Sequence, residues 1–338
     1  MRKNNPHLFF EKILYYFAKV REIGVILALV VLTVLFSLSV TNFLTWGYMT
    51  TILSYATRIG LIGAGATLLM ASREIDLSVG SVFAIVPVTA FVLAEMGLNV
   101  WLCVAVSLPI GVLCGILNGA IVLKLNLPSF IATLGTMFLF RSIALVLSVG
   151  GAKPAPSDPT YRFIFGGGNV FGLNTAFFWW CIIFAITAIV LHKTKFGNWT
   201  LAVGGNMEAA RSMGVKVERV KMINFIVTSF LAGLCGLLYA TSTGTIYAVY
   251  GQGMEFQVIT AIVLGGTPLS GGAGTALGTV LGSVLLGIVY LGTVSIRWFG
   301  GLPIPSAYVF DGVVGILVVV GMFINMFLEK LRRQVQGC

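Results

Sequence analysis

Only 9% of this 338-residue chain is charged, so the charges that interrupt its apolar runs are the first residues to weigh for chemistry. The stretch REIDLSVGS, residues 73–81, places Arg73, Glu74 and Asp76 between two long hydrophobic segments and closes on Ser78, Gly80 and Ser81. Asp76 and Ser78 are good N-caps for a helix beginning near Val79, which predicts a capped turn at the edge of an apolar layer. The competing expectation is a broken-helix element beside a polar path. Two arginines lie deeper, Arg58 and Arg141, roughly 15–20 Å along their helices at 1.5 Å per residue. Such residues face the interior of a bundle or a wet cavity. An ion pair inside the bundle is the expected role, with Asp76, Glu74 and Glu255 as candidate partners. Asn118, Thr133, Thr136, Gln257 and Thr260 interrupt apolar runs and are candidates for a path lining; for each alone, helix–helix hydrogen bonding is the simpler reading.

Catalysis finds little support in these residues. Neither His7 nor His192 sits in an acid–base or metal constellation. Cys103, Cys114, Cys181 and Cys235 lie in apolar runs, where packing is the expected role, and with the terminal Cys338 they show no metal-ligand spacing. The glycine-rich stretch VLGGTPLSGGAGTALGTVLGSVLLG resembles a phosphate cradle but lacks the Gly-Lys-Ser/Thr of a P-loop. Gly274, Gly278 and Gly282 instead recur every four residues, which predicts one close-packed helix face. In the preceding PLSGG, Pro268 and the glycines loosen the helix. Leu269-Ser270-Gly271-Gly272 shares an L-S-x-G core with Leu77-Ser78-Val79-Gly80, and each opens a new helix. Broken helices at related positions in two halves occur in transporters, so an internal repeat is a second expectation.

The elements that must hold these residues follow from composition. The chain is 58% hydrophobic with a mean hydropathy of +1.00, against roughly 25% charged residues in an ordinary soluble domain. Apolar runs of span length recur throughout, which indicates an all-α polytopic membrane protein. The net charge of +10 is not a nucleic-acid signature, because most basic residues fall in three segments: before residue 22, at 193–221, and at Lys330, Arg332 and Arg333. That is the positive-inside pattern, so both termini and the central loop are expected in the cytoplasm. Runs at 23–40, 48–71, 79–96, 100–123, 128–149, 174–192, 222–243, 255–267, 275–295 and 306–327 give about ten spans, some broken. The eighth is too short to cross as a regular helix and is expected to finish through GGTPLSGGAGT. The expected organisation is a cytoplasmic amphipathic segment 1–22, one transmembrane domain 23–327 containing a cytoplasmic loop 196–221, and a cytoplasmic tail 328–338.

Four segments together resemble the membrane permease subunits of bacterial ABC importers of the ribose/xylose/autoinducer-2 group. They are IDLSVGS at 75–81, NGAIVLKLNLPSFIATLGTMFLFRS at 118–142, AVGGNMEAARSMGVKV at 202–217 and AIVLGGTPLSGGAGTALGTVLGSVLLG at 261–287. The resemblance implies a dimer of permeases in the bacterial cytoplasmic (inner) membrane, a cytoplasmic ABC ATPase and a periplasmic or extracellular substrate-binding protein. ATP and Mg would be held by the partner ATPase and no cofactor by this chain. Gly204, Asn206, Glu208, Ala209, Ala210, Arg211 and Gly214 are similar to the segment that docks into the ATPase. Asp76, Ser78, Gly80, Asn118, Thr133, Thr136, Gln257, Thr260, Thr267 and Ser270 become the expected translocation path. The implied solute is a ribose-like monosaccharide. A nucleoside or branched-chain amino-acid ABC permease is the nearest alternative, and an ion-coupled transporter or channel is the alternative of another class.

Overall fold

A computed structural model describes residues 22–296 and 306–336. Residues 1–21 of the expected amphipathic segment, residues 297–305, the basic side chains of the tail and residues 337–338 lie outside the described part. The chain begins with α1 (Ile23–Ser39), α2 (Trp46–Ala71), α3 (Val79–Glu95), α4 (Val100–Lys124) and α5 (Ser129–Ser148). A loop structure follows, made of β1 (Lys153–Pro154), α6 (Pro159–Arg162), a π turn, β2 (Asn169–Val170) and β3 (Leu173–Asn174). Then come α7 (Thr175–Lys193), the short α8 (Lys195–Gly205) and α9 (Met207–Ser212), and α10 (Val217–Thr243). The chain ends with β4 (Thr245–Ile246), α11 (Met254–Leu264), α12 (Ala276–Ser295) and α13 (Ser306–Gln336).

Among the described residues the apolar runs thus form ten helices, as the sequence predicts. Helices α2, α4, α5, α7, α10 and α12 are each long and apolar enough to cross a membrane alone. Polar side chains set several starts: Asn99 accepts from Trp101 N, Asn174 from Phe177 N, and Thr275 from Gly278 N. These caps satisfy backbone donors that the first turn leaves free. The core runs along α2, α3 and α10. Helix α3 is buried over most of its length between α4, α5 and α10. The outer helices show large apolar side chains instead, among them Phe138 and Val146 on α5 and Ile186 on α7. That exposure is what a lipid-facing surface requires, because lipid is as apolar as the side chains it meets.

The eighth run differs from expectation. Helix α11 has 11 residues, about 16 Å at 1.5 Å per residue and roughly half of a 30 Å hydrocarbon layer. The missing half lies on its N-terminal side. Residues 244–253 leave the end of α10 without helical structure, and their half-buried Gly251 packs against the backbone of Gly80. GGTPLSGGAGT cannot serve because it already sits at the end where α12 begins, where Gly278 and Gly282 press on the backbone of Gly265 and Ala261. Gly274 precedes α12 and packs beside Thr67 and Thr267, so only two of the three spaced glycines share the helix face.

Candidate functional site

The break between α2 and α3 is pinned by a polar cluster inside the bundle. Asp76 is 6% exposed. Its Oδ1 accepts from Ser78 N at 2.8 Å and Ser78 Oγ at 2.7 Å; its Oδ2 accepts from Asn118 Nδ2 at 3.1 Å and Ser229 Oγ at 3.2 Å. Asn118 also donates to Ser78 Oγ, and its Oδ1 accepts from Thr136 Oγ1 at 2.6 Å. One stripe of α5 completes the clamp. Ser129 Oγ accepts from Ile75 N and Thr133 Oγ1 accepts from Leu77 N, while Ser81 Oγ donates to the Met137 carbonyl. Four donors on one carboxylate offset the cost of burying it, which an unpaired charge could not bear. Asp76 does hold the start of α3, but from within the bundle rather than at its surface.

The basic end is built onto the same break. Glu74 Oε1 meets Lys221 Nζ at 2.6 Å, with side chains only 11% and 12% exposed. Asn224 donates to the Leu68 carbonyl and Ser72 Oγ. Gly204 of α8 lies directly on the Ala71 carbonyl and beside Gly272, whose N–H donates to that same carbonyl. Any side chain at 204 would collide with backbone. Gly271 packs on Arg73. The two L-S-x-G segments therefore converge at one end of the bundle, with α8 wedged against both breaks. Asn206 caps α9 by accepting from Ala209 N. Ala210 turns inward onto Val203, Val217 and Val220. Glu208, Ala209, Arg211 and Gly214 are exposed, as is Met213, and Arg211 pairs with Glu218 at 2.5 Å.

Of the residues predicted for a path, Asp76, Ser78, Asn118, Thr133 and Thr136 come together in the cluster. Gly80 stands apart at the bundle centre, where its backbone touches Gly251 and the Glu255 side chain. Glu255 Oε2, and Arg141 Nε and Nη2, are buried without a hydrogen-bond partner, although Arg141 is near enough for its charge to act on Glu255. Gln257 accepts from Tyr55 OH at 2.9 Å, and Thr260 donates to the Phe256 carbonyl. Thr267 is buried beside Gly274, and Ser270 is exposed in the turn that carries Gly271 and Gly272.

Arg58 is not in the ion pair expected of it. Its guanidinium lies over the rings of Tyr55 (4.5 Å to the centroid) and Tyr239 (4.8 Å). It borders a cavity of about 270 Å³ that reaches toward the ends of α2 and α10 near Thr51 and Thr243. None of the ten residues predicted for a path lines this cavity. A larger space of about 720 Å³ is walled mainly by apolar side chains of α7 and α10, among them Trp179, Ile182 and Phe230, which suits a lipid chain better than a polar solute. Sequence reasoning missed Ser129, Ser229, Asn224 and the ring clamp. Ser129 was detectable, since it stands four and seven residues before Thr133 and Thr136. Tyr55 was also detectable, three residues before Arg58 on the same helix face. Ser229 and Tyr239 were not, because their partners come from other helices.

A bundle of ten apolar helices, with two breaks converging at its basic end and buried polar groups at its centre, is the architecture of a multi-pass membrane transport protein. The chain belongs to the family described as branched-chain amino acid transport system / permease component, which matches residues 48–322. Its work is transport rather than covalent chemistry. The autoinducer 2 import system permease protein LsrC of Shigella flexneri is 34% identical over 299 residues, covering 86% of this chain and 87% of that one. The xylose/arabinose import permease protein XylH of Sulfolobus acidocaldarius is 33% identical over 317 residues, covering 91% and 86%. The LsrC of Photorhabdus luminescens is 32% identical over 301 residues, covering 86% and 90%. Among solved structures, PsaBC from Streptococcus pneumoniae in complex with Fab overlaps 83% of this chain and 92% of its own, at 15% identity and a TM-score of 0.44, too loosely to carry an argument.

Proposed function

We propose that this chain is the membrane-spanning subunit of an ATP-driven importer in the bacterial cytoplasmic membrane, and that its solute is a monosaccharide or a closely related small polyol. The observation that carries the reading is the similarity, over nearly the whole chain, to permeases of autoinducer 2 and of xylose and arabinose. ATP and Mg belong to a separate cytoplasmic ATPase, and an external binding protein delivers the solute. The exposed residues of α9 and the turn after it, from Glu208 to Gly214, dock on the ATPase; Gly204 and Ala210 fix that segment to the bundle. A second permease copy or a paralogue completes the path.

In this mechanism the docked segment moves α8, and α8 moves the ends of α2 and α12 through the Gly204 contact. Asp76, Ser78, Asn118, Thr133 and Thr136 act as the latch of the α2–α3 break. Gly80, Gln257, Thr260, Thr267 and Ser270 lie where α11 and its flanking turns shift with it. The test is uptake by proteoliposomes carrying the chain with its ATPase and binding protein, given labelled D-ribose, D-xylose and L-leucine in parallel. ATP-dependent accumulation of a pentose supports the reading. Accumulation of leucine alone would move the chain to amino-acid import, and uptake by the chain without ATP would remove it from ABC importers altogether.

A further inference from the structure

We propose that the cavity around Arg58 holds the solute during its passage, and that it takes a monosaccharide-sized polyol through two adjacent hydroxyls. This rests on the reading of the chain as a sugar permease. The cavity measures about 270 Å³, just below the roughly 300–1,000 Å³ of sites for drug-sized ligands. That is room for one sugar ring and too little for a disaccharide.

The donor array is already in place. Tyr55 and Tyr239 both lie against the Arg58 guanidinium, which restrains it where it borders the cavity. The clamp is itself braced: Tyr55 stacks on Tyr290 with centroids 4.0 Å apart and donates to Gln257 Oε1. The Arg58 side chain makes no hydrogen bond or ion pair among the described residues, and unlike those of Arg141 its nitrogens are not sealed in. A guanidinium fork binds two oxygens side by side, the arrangement that a vicinal diol offers. Ser54 Oγ, which makes no hydrogen bond among the described residues, and the Asn174 amide add polar groups on the wall. Gln257 belongs to α11, so a shift of that helix releases Tyr55 and loosens the clamp. This links solute release to the breaks.

The test uses the complete transporter in proteoliposomes, with each sugar supplied as a saturated complex of the binding protein. The probes are D-ribose, D-xylose, their 2-deoxy analogues and D-ribonate. Wild-type uptake of neither pentose would defeat the sugar-permease reading itself, and this inference with it. Given uptake of a pentose, Arg58→Gln and Arg58→Lys are expected to lower it about tenfold, the loss of one well-placed hydrogen bond to a charged group. ATP hydrolysis stimulated by the binding protein should stay within about twofold of wild type, and the preference for the sugar over its 2-deoxy analogue should collapse. Ser54→Leu fills the cavity while leaving Arg58 itself in place and should also block uptake, which keeps the test decisive if the Arg58 variants do not assemble. Unchanged uptake and preference in the variants that assemble would overturn the inference. Faster wild-type uptake of ribonate than of ribose would overturn the diol assignment.

Discussion

Asp76 keeps a carboxylate inside the bundle with hydroxyls, an amide and a backbone N–H as its hydrogen-bond partners, and no cation among them. Each partner is therefore worth more than a surface hydrogen bond, since removing one leaves an ionisable group under-satisfied. Asn118→Leu deletes bonds to Asp76, Ser78 and Thr136 at once. It is expected to cost about 2–4 kcal/mol, read as a lower unfolding midpoint of the purified protein in detergent. Ser78→Ala should cost less, because Asp76 keeps the backbone donor, Asn118 and Ser229. Gly80→Leu acts differently. A side chain there runs into the Gly251 carbonyl and Glu255, so α11 must retreat from α3. Uptake should fall sharply even where the variant inserts and purifies normally; wild-type uptake would show that this contact can open without consequence.

At the level of elements, the decisive joint is the one between α8 and the two breaks. Lys221→Met alone strands Glu74 with little water and should destabilise the protein by roughly 3 kcal/mol, as breaking a largely buried pair does. Combining Lys221→Met with Glu74→Leu should restore most of that loss, because the pair's desolvation cost disappears along with its attraction. A full loss in the double variant would mean that the ion pair itself is required. Gly204→Val is expected to leave solute-free assembly intact but to separate ATP hydrolysis from uptake, since α8 can no longer rest on Ala71. The reach of sequence is visible here. Charge marked the 193–221 segment as the basic loop of the chain, and its small residues pointed to close contact. That Gly204 meets the bundle while Glu208 and Arg211 face outward depends on how α8 and α9 fold back on α10.

For the whole molecule, transport should require the ATPase and the binding protein. Deleting Glu208–Gly214 is expected to abolish ATP-driven uptake while the chain still inserts as a multi-pass protein, measured by uptake alongside protease protection of the loops. Full uptake after that deletion would end the coupling role proposed for α9.

Sequence by itself determined the all-α class, the number of apolar helices and the segments that break. Each of these is written locally, in hydropathy and in Gly, Pro and capping residues, so a linear reading recovers them. Only the tertiary structure decided what the rare polar residues do. Arg58 was legible as a buried cation but not as the floor of a cavity, because its clamp needs Tyr239 from a helix about 180 residues away, and no local period records that. The same holds for Asp76 and Ser229, and for the half-span of α11, whose missing half precedes it. REIDLSVGS was conspicuous because charge is costly in an apolar chain. It is stable there because four other helices, α4, α5, α10 and α11, arrive to satisfy or cover it.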